Sequence, residues 1–183
     1  GWPTGAKTPQ AAGGYVAFAG GWVQRAGTTL ILVNGSIGAL YSAMGGNTSA
    51  LGVPTGAEVT VSAGRWSQAF QGGSIYSAAT GTFAVTSMAG AHAQFGGVAR
   101  LGFPTGAEQV SSAGSSQQFG AVTLARATGG AVFEVRGAIG AYYVANGAVT
   151  GILGAPTSAE RYVGGVWTQD FTGGKVVYGS AGT

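Results

Sequence analysis

Leu101-Gly102-Phe103-Pro104-Thr105-Gly106-Ala107-Glu108 decides how this chain is built, because near-copies of it stand on both sides. Upstream lies Leu51-Gly52-Val53-Pro54-Thr55-Gly56-Ala57-Glu58, and before that Gly1-Trp2-Pro3-Thr4-Gly5-Ala6-Lys7. Downstream lies Leu153-Gly154-Ala155-Pro156-Thr157-Ser158-Ala159-Glu160. The prolines 3, 54, 104 and 156 are 51, 50 and 52 residues apart, and they are four of the five in the chain. Self-similarity at such a period marks a repeat architecture, in which one unit cannot bury its apolar face alone and neighbours must supply the core. Within the loop, Pro fixes φ and pushes the preceding residue towards extended geometry. The flanking glycines allow close approach of another segment.

A second set of landmarks keeps the same phase. Phe18, Phe70, Phe119 and Phe171 follow the four prolines by 15 or 16 residues. Gly20-Gly21, Gly72-Gly73 and Gly173-Gly174 follow three of them, and repeat three has Ala121-Val122 there. Gln68, Gln117 and Gln169 stand two before Phe, and Trp66 and Trp167 four before. The register divides the chain into one repeat domain, 1–183, with repeats 1–50, 51–100, 101–152 and a partial fourth at 153–183. The Thr-to-Glu spacing of the loop resembles a capping box, although no long helix follows.

Local patterning predicts what each repeat contains. Arg65 to Phe70 alternates as a strand, Gly72-Gly73 turns it, Ser74 to Ser77 returns, and Thr82 to Val85 is a third strand. The period then changes. Ile37, Leu40, Tyr41 and Met44 in repeat one, and Ile139, Tyr142 and Tyr143 in repeat three, are spaced as one face of a short helix. Glycines end it at Gly45 and Gly147. The expected class is α+β: short antiparallel hairpin or three-stranded units plus a short helix, packed on one another.

Composition narrows the chemistry. Of 183 residues 37 are Gly, 7% are charged, one is His and none is Cys. Thiolate metal sites and disulfides are excluded, and sites needing two imidazoles are excluded within one chain. The net charge of +3 is spread thinly. No basic run tracks a phosphate backbone, so nucleic acid is not an expected partner. No stretch of 18 apolar residues is present, so no transmembrane segment is expected.

These motifs resemble the LGFP repeat family, named for the Leu-Gly-Phe-Pro loop that repeat three spells at Leu101 to Pro104. The Gln-x-Phe-x-Gly-Gly-x-Ile-Tyr segment stands at Gln68 to Tyr76, and the Gly-x-Ile-x-x-x-Tyr segment at Gly35 to Tyr41 and Gly137 to Tyr143. The resemblance implies a secreted actinobacterial surface protein, or a module appended to a mycoloyltransferase, an amidase or another wall enzyme. It implies attachment to the peptidoglycan–arabinogalactan wall and a petal-like packing of repeats around a pseudo-symmetry axis.

Candidate site residues follow from side-chain chemistry. Exposed Trp and Tyr rings stack on the apolar faces of sugars, and neighbouring amides bond hydroxyls. Trp22, Trp66, Trp167, Tyr76 and Tyr178, with Gln68 and Gln169, are therefore the expected ligand-binding residues. Trp22 stands where repeats two and four carry Ser74 and Lys175, which predicts an exposed ring. The four phenylalanines recur too faithfully for a site and are expected in the core. His92 is expected to pack, with Leu40 and Tyr142 as its counterparts. Glu58, Glu108 and Glu160 share one repeat position, hence one environment, unlike the two distinct carboxyls of a glycosidase. No catalytic residue, metal or cofactor is expected. The reading is a non-catalytic wall-attachment module that binds wall polysaccharide weakly at each repeat and strongly in sum. The alternative is a structural or adhesive surface protein whose repeats contact protein partners or self-associate through the incomplete fourth repeat.

Overall fold

The structure, a computed structural model, describes residues 2–5 and 14–179. It is mostly antiparallel β-sheet with a few short helices, which agrees with the α+β class. The chain divides into two compact units, residues 1–89 and 90–183. Each holds two sheets with a helix between them.

In the first unit, β1 (Tyr15–Phe18), β2 (Gly21–Ala26) and β3 (Thr29–Asn34) form a three-stranded sheet. α1 (Gly35–Ala43) follows without a linker. A second sheet has the order β4 (Val59–Ser62), β5 (Arg65–Phe70), β6 (Gly73–Ala78) and β7 (Gly81–Val85). The second unit carries α2 (Ala89–Gln94, whose first residue belongs to the first unit) and α3 (Gly97–Leu101). Its first sheet runs β8 (Gln109–Ser111), β9 (Gly114–Phe119), β10 (Val122–Ala127) and β11 (Val132–Arg136). Then come α4 (Gly137–Ala145) and a sheet of β12 (Arg161–Val163), β13 (Val166–Phe171) and β14 (Gly174–Tyr178). The short strands β4, β8 and β12 lie beyond the expected hairpins. They add an edge strand that the sequence pattern did not show.

The Pro loop docks on the first long strand of its own repeat. Pro3, Pro54, Pro104 and Pro156 form isolated bridges with Phe18, Phe70, Phe119 and Phe171. The next residue continues the pairing: Thr55 N–H donates to Ala69 O at 2.9 Å and Thr157 N–H to Asp170 O at 2.8 Å. Pro, which has no N–H to give, sits where none is needed. No helix follows the loop, so the Thr-x-x-Glu spacing caps nothing.

The hairpin turn then closes against the Leu of the same loop. Gly72 N–H donates to Leu51 O and Gly173 N–H to Leu153 O, both at 2.9 Å. A Cβ on Gly72 would collide with the Ala50 carbonyl, and one on Gly173 with that of Ile152. Glycine is required here for close approach of backbone.

Helices α1 and α4 fold straight back over their own sheets. The turn from strand to helix brings Gly38 so near Val33 O, and Gly140 so near Val135 O, that a Cβ would sit 2.9 Å from either oxygen. In the Gly-x-x-Gly spacing at 35–38 and 137–140 the second glycine is thus a packing requirement, whereas the first has open space and a left-handed φ of +57°.

Two of the buried clusters straddle a repeat boundary. One cluster joins Val33, Ile37 and Tyr41 of repeat one to Leu51, Phe70 and Ile75 of repeat two. The other joins Ala125, Val135, Ile139, Tyr143 and Ala148 of repeat three to Leu153 and Phe171 of repeat four. The helix face differs from the expected one. Ile37 and Tyr41 are buried, whereas Leu40 is half-buried and Met44 exposed; Tyr142 is 49% exposed while Tyr143 is fully buried. A helix clasped between two sheets turns its Ile-x-x-x-Tyr edge into the core, and only that edge. Phe70, Phe119 and Phe171 lie in the core as expected, but Phe18 is only half-buried.

Candidate functional site

The two glutamines are structural. Gln68 and Gln169 are buried. Gln68 Nε2 donates to Gly56 O of its own loop at 3.0 Å and to Leu32 O of the preceding sheet at 2.9 Å. Gln169 Nε2 does the same with Ser158 O and Glu134 O, both at 3.0 Å. Each amide ties its loop to the last strand of the preceding sheet, across the interface where the core lies. Neither is placed to meet a ligand hydroxyl.

Trp22 also sits differently from its expectation. It is half-buried, stacked on Tyr15 at 4.5 Å between centroids and edge-on to Tyr41 at 5.6 Å. The side chains that replace it elsewhere are small or flexible because the other repeats have no Tyr15 to stack on. Tyr76 lies half-buried in the ladder Ser67–Tyr76–Phe83, the opposite face of the sheet from Trp66. Burial pushes its phenol up.

Of the rings expected at the site, the exposed ones are on the even repeats. Trp66 and Trp167 are 38% and 39% exposed at matching strand positions. In the odd repeats the position is Gly14 and a buried Ser115. Trp66 pairs across strands with Thr60 and Ser77. Trp167 pairs with Tyr162 on one side and Tyr178 on the other. Tyr162 and Tyr178 are both more than half exposed, and the Tyr162 and Trp167 centroids are 5.1 Å apart. The result is a row of three aromatic rings across three adjacent strands, with the polar ends of the tyrosines in water. Tyr162 was missed from sequence. Its signal was available: it opposes Trp167 across the Gly164-Gly165 turn.

His92 packs, but its counterparts are Tyr41 and Tyr143, not Leu40 and Tyr142. The His92 ring stacks on Phe119 at 4.7 Å, as Tyr41 does on Phe70 at 4.8 Å and Tyr143 on Phe171 at 5.1 Å. His92 Nε2 lies 3.2 Å from Gly102 O, where Tyr41 and Tyr143 donate their hydroxyls to Gly52 O and Gly154 O at 2.9 Å. Burial holds the His92 pKa below its ordinary value and pushes that of Tyr41 up to about 12.

Three of the five acids pair with arginines. Arg100 grips Glu134 with both guanidinium nitrogens, which holds the carboxyl below its usual range. Arg136 Nε donates to Glu160 Oε2 at 3.1 Å, joining repeats three and four. Asp170 is paired with Arg161 and Lys175 and is likewise held low, chiefly by the Arg161 hydrogen bond. Among the described residues no three His, Asp or Glu side chains gather as a metal would require. Among the described residues no helix is long and apolar enough to cross a membrane.

Two of the segments that open on this Pro loop also match a family model. The LGFP repeat model matches residues 51–97 and 101–151. The chain belongs to the LGFP repeat family. Among curated proteins none matches it. The two matched LGFP repeats are the second and third. The first and fourth carry the same Pro–Phe bridges, at Pro3–Phe18 and Pro156–Phe171.

Proposed function

We propose that this LGFP chain is a non-catalytic attachment module of the cell surface that binds neutral wall polysaccharide, of the arabinogalactan–peptidoglycan kind, through the aromatic row Tyr162–Trp167–Tyr178. The exposed row is the observation that carries the reading. Its three rings lie on neighbouring strands of one sheet and so present a fixed, partly apolar surface. Rings held by strands lose little entropy on binding, and their hydroxyls keep hydrogen-bonding capacity. Trp66 is a smaller second contact in the other unit, so a long polymer can engage both and gain by avidity. The low charge suits an uncharged polymer. The Arg-paired acids and the packed His92 support a module without catalysis. This reading places the protein outside the cell, at the wall.

Affinity electrophoresis through gels cast with purified arabinogalactan tests it. Retardation is expected for the intact chain and is expected to fall for Trp167→Ala and Tyr162→Ala. Equal mobility with and without polysaccharide, in wall fractions both containing and lacking arabinogalactan, rejects the reading.

A further inference from the structure

We propose that the outer face of the sheet β1–β2–β3 is a seat for the helical half of a further LGFP repeat. The first unit shows what such a seat receives. On the sheet β4–β7, Phe70 and Ile75 are covered by Ile37 and Tyr41 of α1 and by Leu51. In the second unit, Ile139, Tyr143 and Leu153 cover Phe171 and Val176 in the same way.

Strand register puts Phe18, Val23 and Leu32 at the matching places on the first sheet. Among the described residues no cover lies there. Phe18 and Val23 are half-buried and Leu32 is 51% exposed, against 5% for Phe70 and none for Ile75. The residue before the loop proline shows the same contrast. Val53, Phe103 and Ala155 are buried, and Trp2 is 90% exposed. The hairpin glycine agrees: a Cβ on Gly72 or Gly173 would strike the carbonyl of a preceding segment, whereas one on Gly20 meets nothing within 4 Å. Three independent parts of the interface are therefore built and open: a ring to take a tyrosine, an apolar pair to take an isoleucine, and a bare turn to take the Leu loop.

One part is changed. Val16 stands at the position of Gln68 and Gln169, two residues before Phe. The tie to a neighbouring strand is absent, and the seat relies on apolar contact alone. A second copy of this chain is a poor occupant. Its α1 and α4 are each already clasped between two sheets, and the His92 ring of α2 lies on Phe119.

The test joins a duplicate of residues 101–153 ahead of Gly1, so that the duplicate's last Leu restores Leu-Gly-Trp-Pro. The added segment contains no Trp. The signal of Trp2 is isolated by subtracting that of a Trp2→Phe version. A severalfold fall in acrylamide quenching of Trp2 is expected, with a rise in melting temperature. The same extension with Ala at the position copied from Tyr143 should give the quenching back. Three results overturn the proposal: Trp2 as quenchable as before in a folded extension; a duplicate that stays unfolded beside an intact chain, since the seat is what should order it; or an unextended chain whose Trp2 is shielded by dimerisation, detected by light scattering.

Discussion

His92 lies on Phe119 with the two ring planes 22° apart, in the place that Tyr41 holds over Phe70 and Tyr143 over Phe171. One position of the repeat is thus filled by two chemistries, a phenol that donates to the Leu-Gly loop and an imidazole whose pKa burial holds below its ordinary value. Much of what distinguishes repeat two from its neighbours comes from that exchange.

The exchange makes stability depend on acid. Burial lowers the His92 pKa, so the folded chain binds this proton less readily than the unfolded one. The stability is complete above the unfolded value of about 6.5 and is lost as pH falls from there through the lowered folded value. The urea midpoint is expected to be lower at about pH 5 than at about pH 8. His92→Tyr should narrow the difference, and a difference unchanged in that variant would assign the effect to other groups.

Alkali should act through Tyr41. Its pKa stands at about 12 because burial disfavours the phenolate. The folded chain therefore holds the proton longer than the unfolded one. The contribution is intact below pH about 10 and is lost as pH rises through the folded value. Tyr41→Phe removes this loss. It also leaves Gly52 O without its partner, at about 1–3 kcal/mol by denaturant titration.

Gln68→Ala and Gln169→Ala should each destabilise by about 1–3 kcal/mol, since each strands two carbonyls at a buried interface. Gln68 serves Leu32 O and Gly56 O, and Gln169 serves Glu134 O and Ser158 O. Chemical denaturation should show the loss, while binding to wall polysaccharide by the folded variants stays as before.

Gly72→Ala and Gly173→Ala place a methyl against a carbonyl of the Leu loop. Overpacking of this kind costs about 1–3 kcal/mol. Gly20→Ala occupies the same turn position with open space around it, and its melting temperature should match that of the parent.

Trp167→Ala is expected to leave the fold intact and to lower affinity for wall polysaccharide about tenfold, the scale of one lost aromatic contact. Trp66→Ala should cost less, because Thr60 and Ser77 flank it where Tyr162 and Tyr178 flank Trp167. Titration calorimetry on the two variants ranks them.

The fold was legible where backbone geometry constrains residue choice. Gly-Gly at a hairpin, Pro in the loop and Gly-x-Ile-x-x-x-Tyr at the helix each name one local shape, and each stood where expected. The site was less legible, because side chains at one repeat position face different neighbours. Gln68 beside Trp66 reads as a sugar-binding pair, yet alternate residues on a strand share a face without sharing its depth. The strand runs from an exposed Trp66 to a buried Gln68 and Phe70. Trp22 read as exposed because Ser74 and Lys175 occupy its position, and the ring that shelters it, Tyr15, has no counterpart in the motif. The edge strands β4, β8 and β12 escaped notice because they are three or four residues long, with their side chains largely in water.

Each core takes its upper half from one copy of the motif and its lower half from the next. The written period of the chain and its mechanical period are therefore out of step by half a length. A cut at Pro54 or Pro156, where the motif begins again, would separate the two partners of one core and leave that core incomplete in both fragments. Each of the two clusters lies inside one compact unit, 1–89 or 90–183, and the limit between the units falls within a written repeat. Gene shuffling and the trimming of such arrays should therefore keep the helical half of one repeat together with the strands of the next.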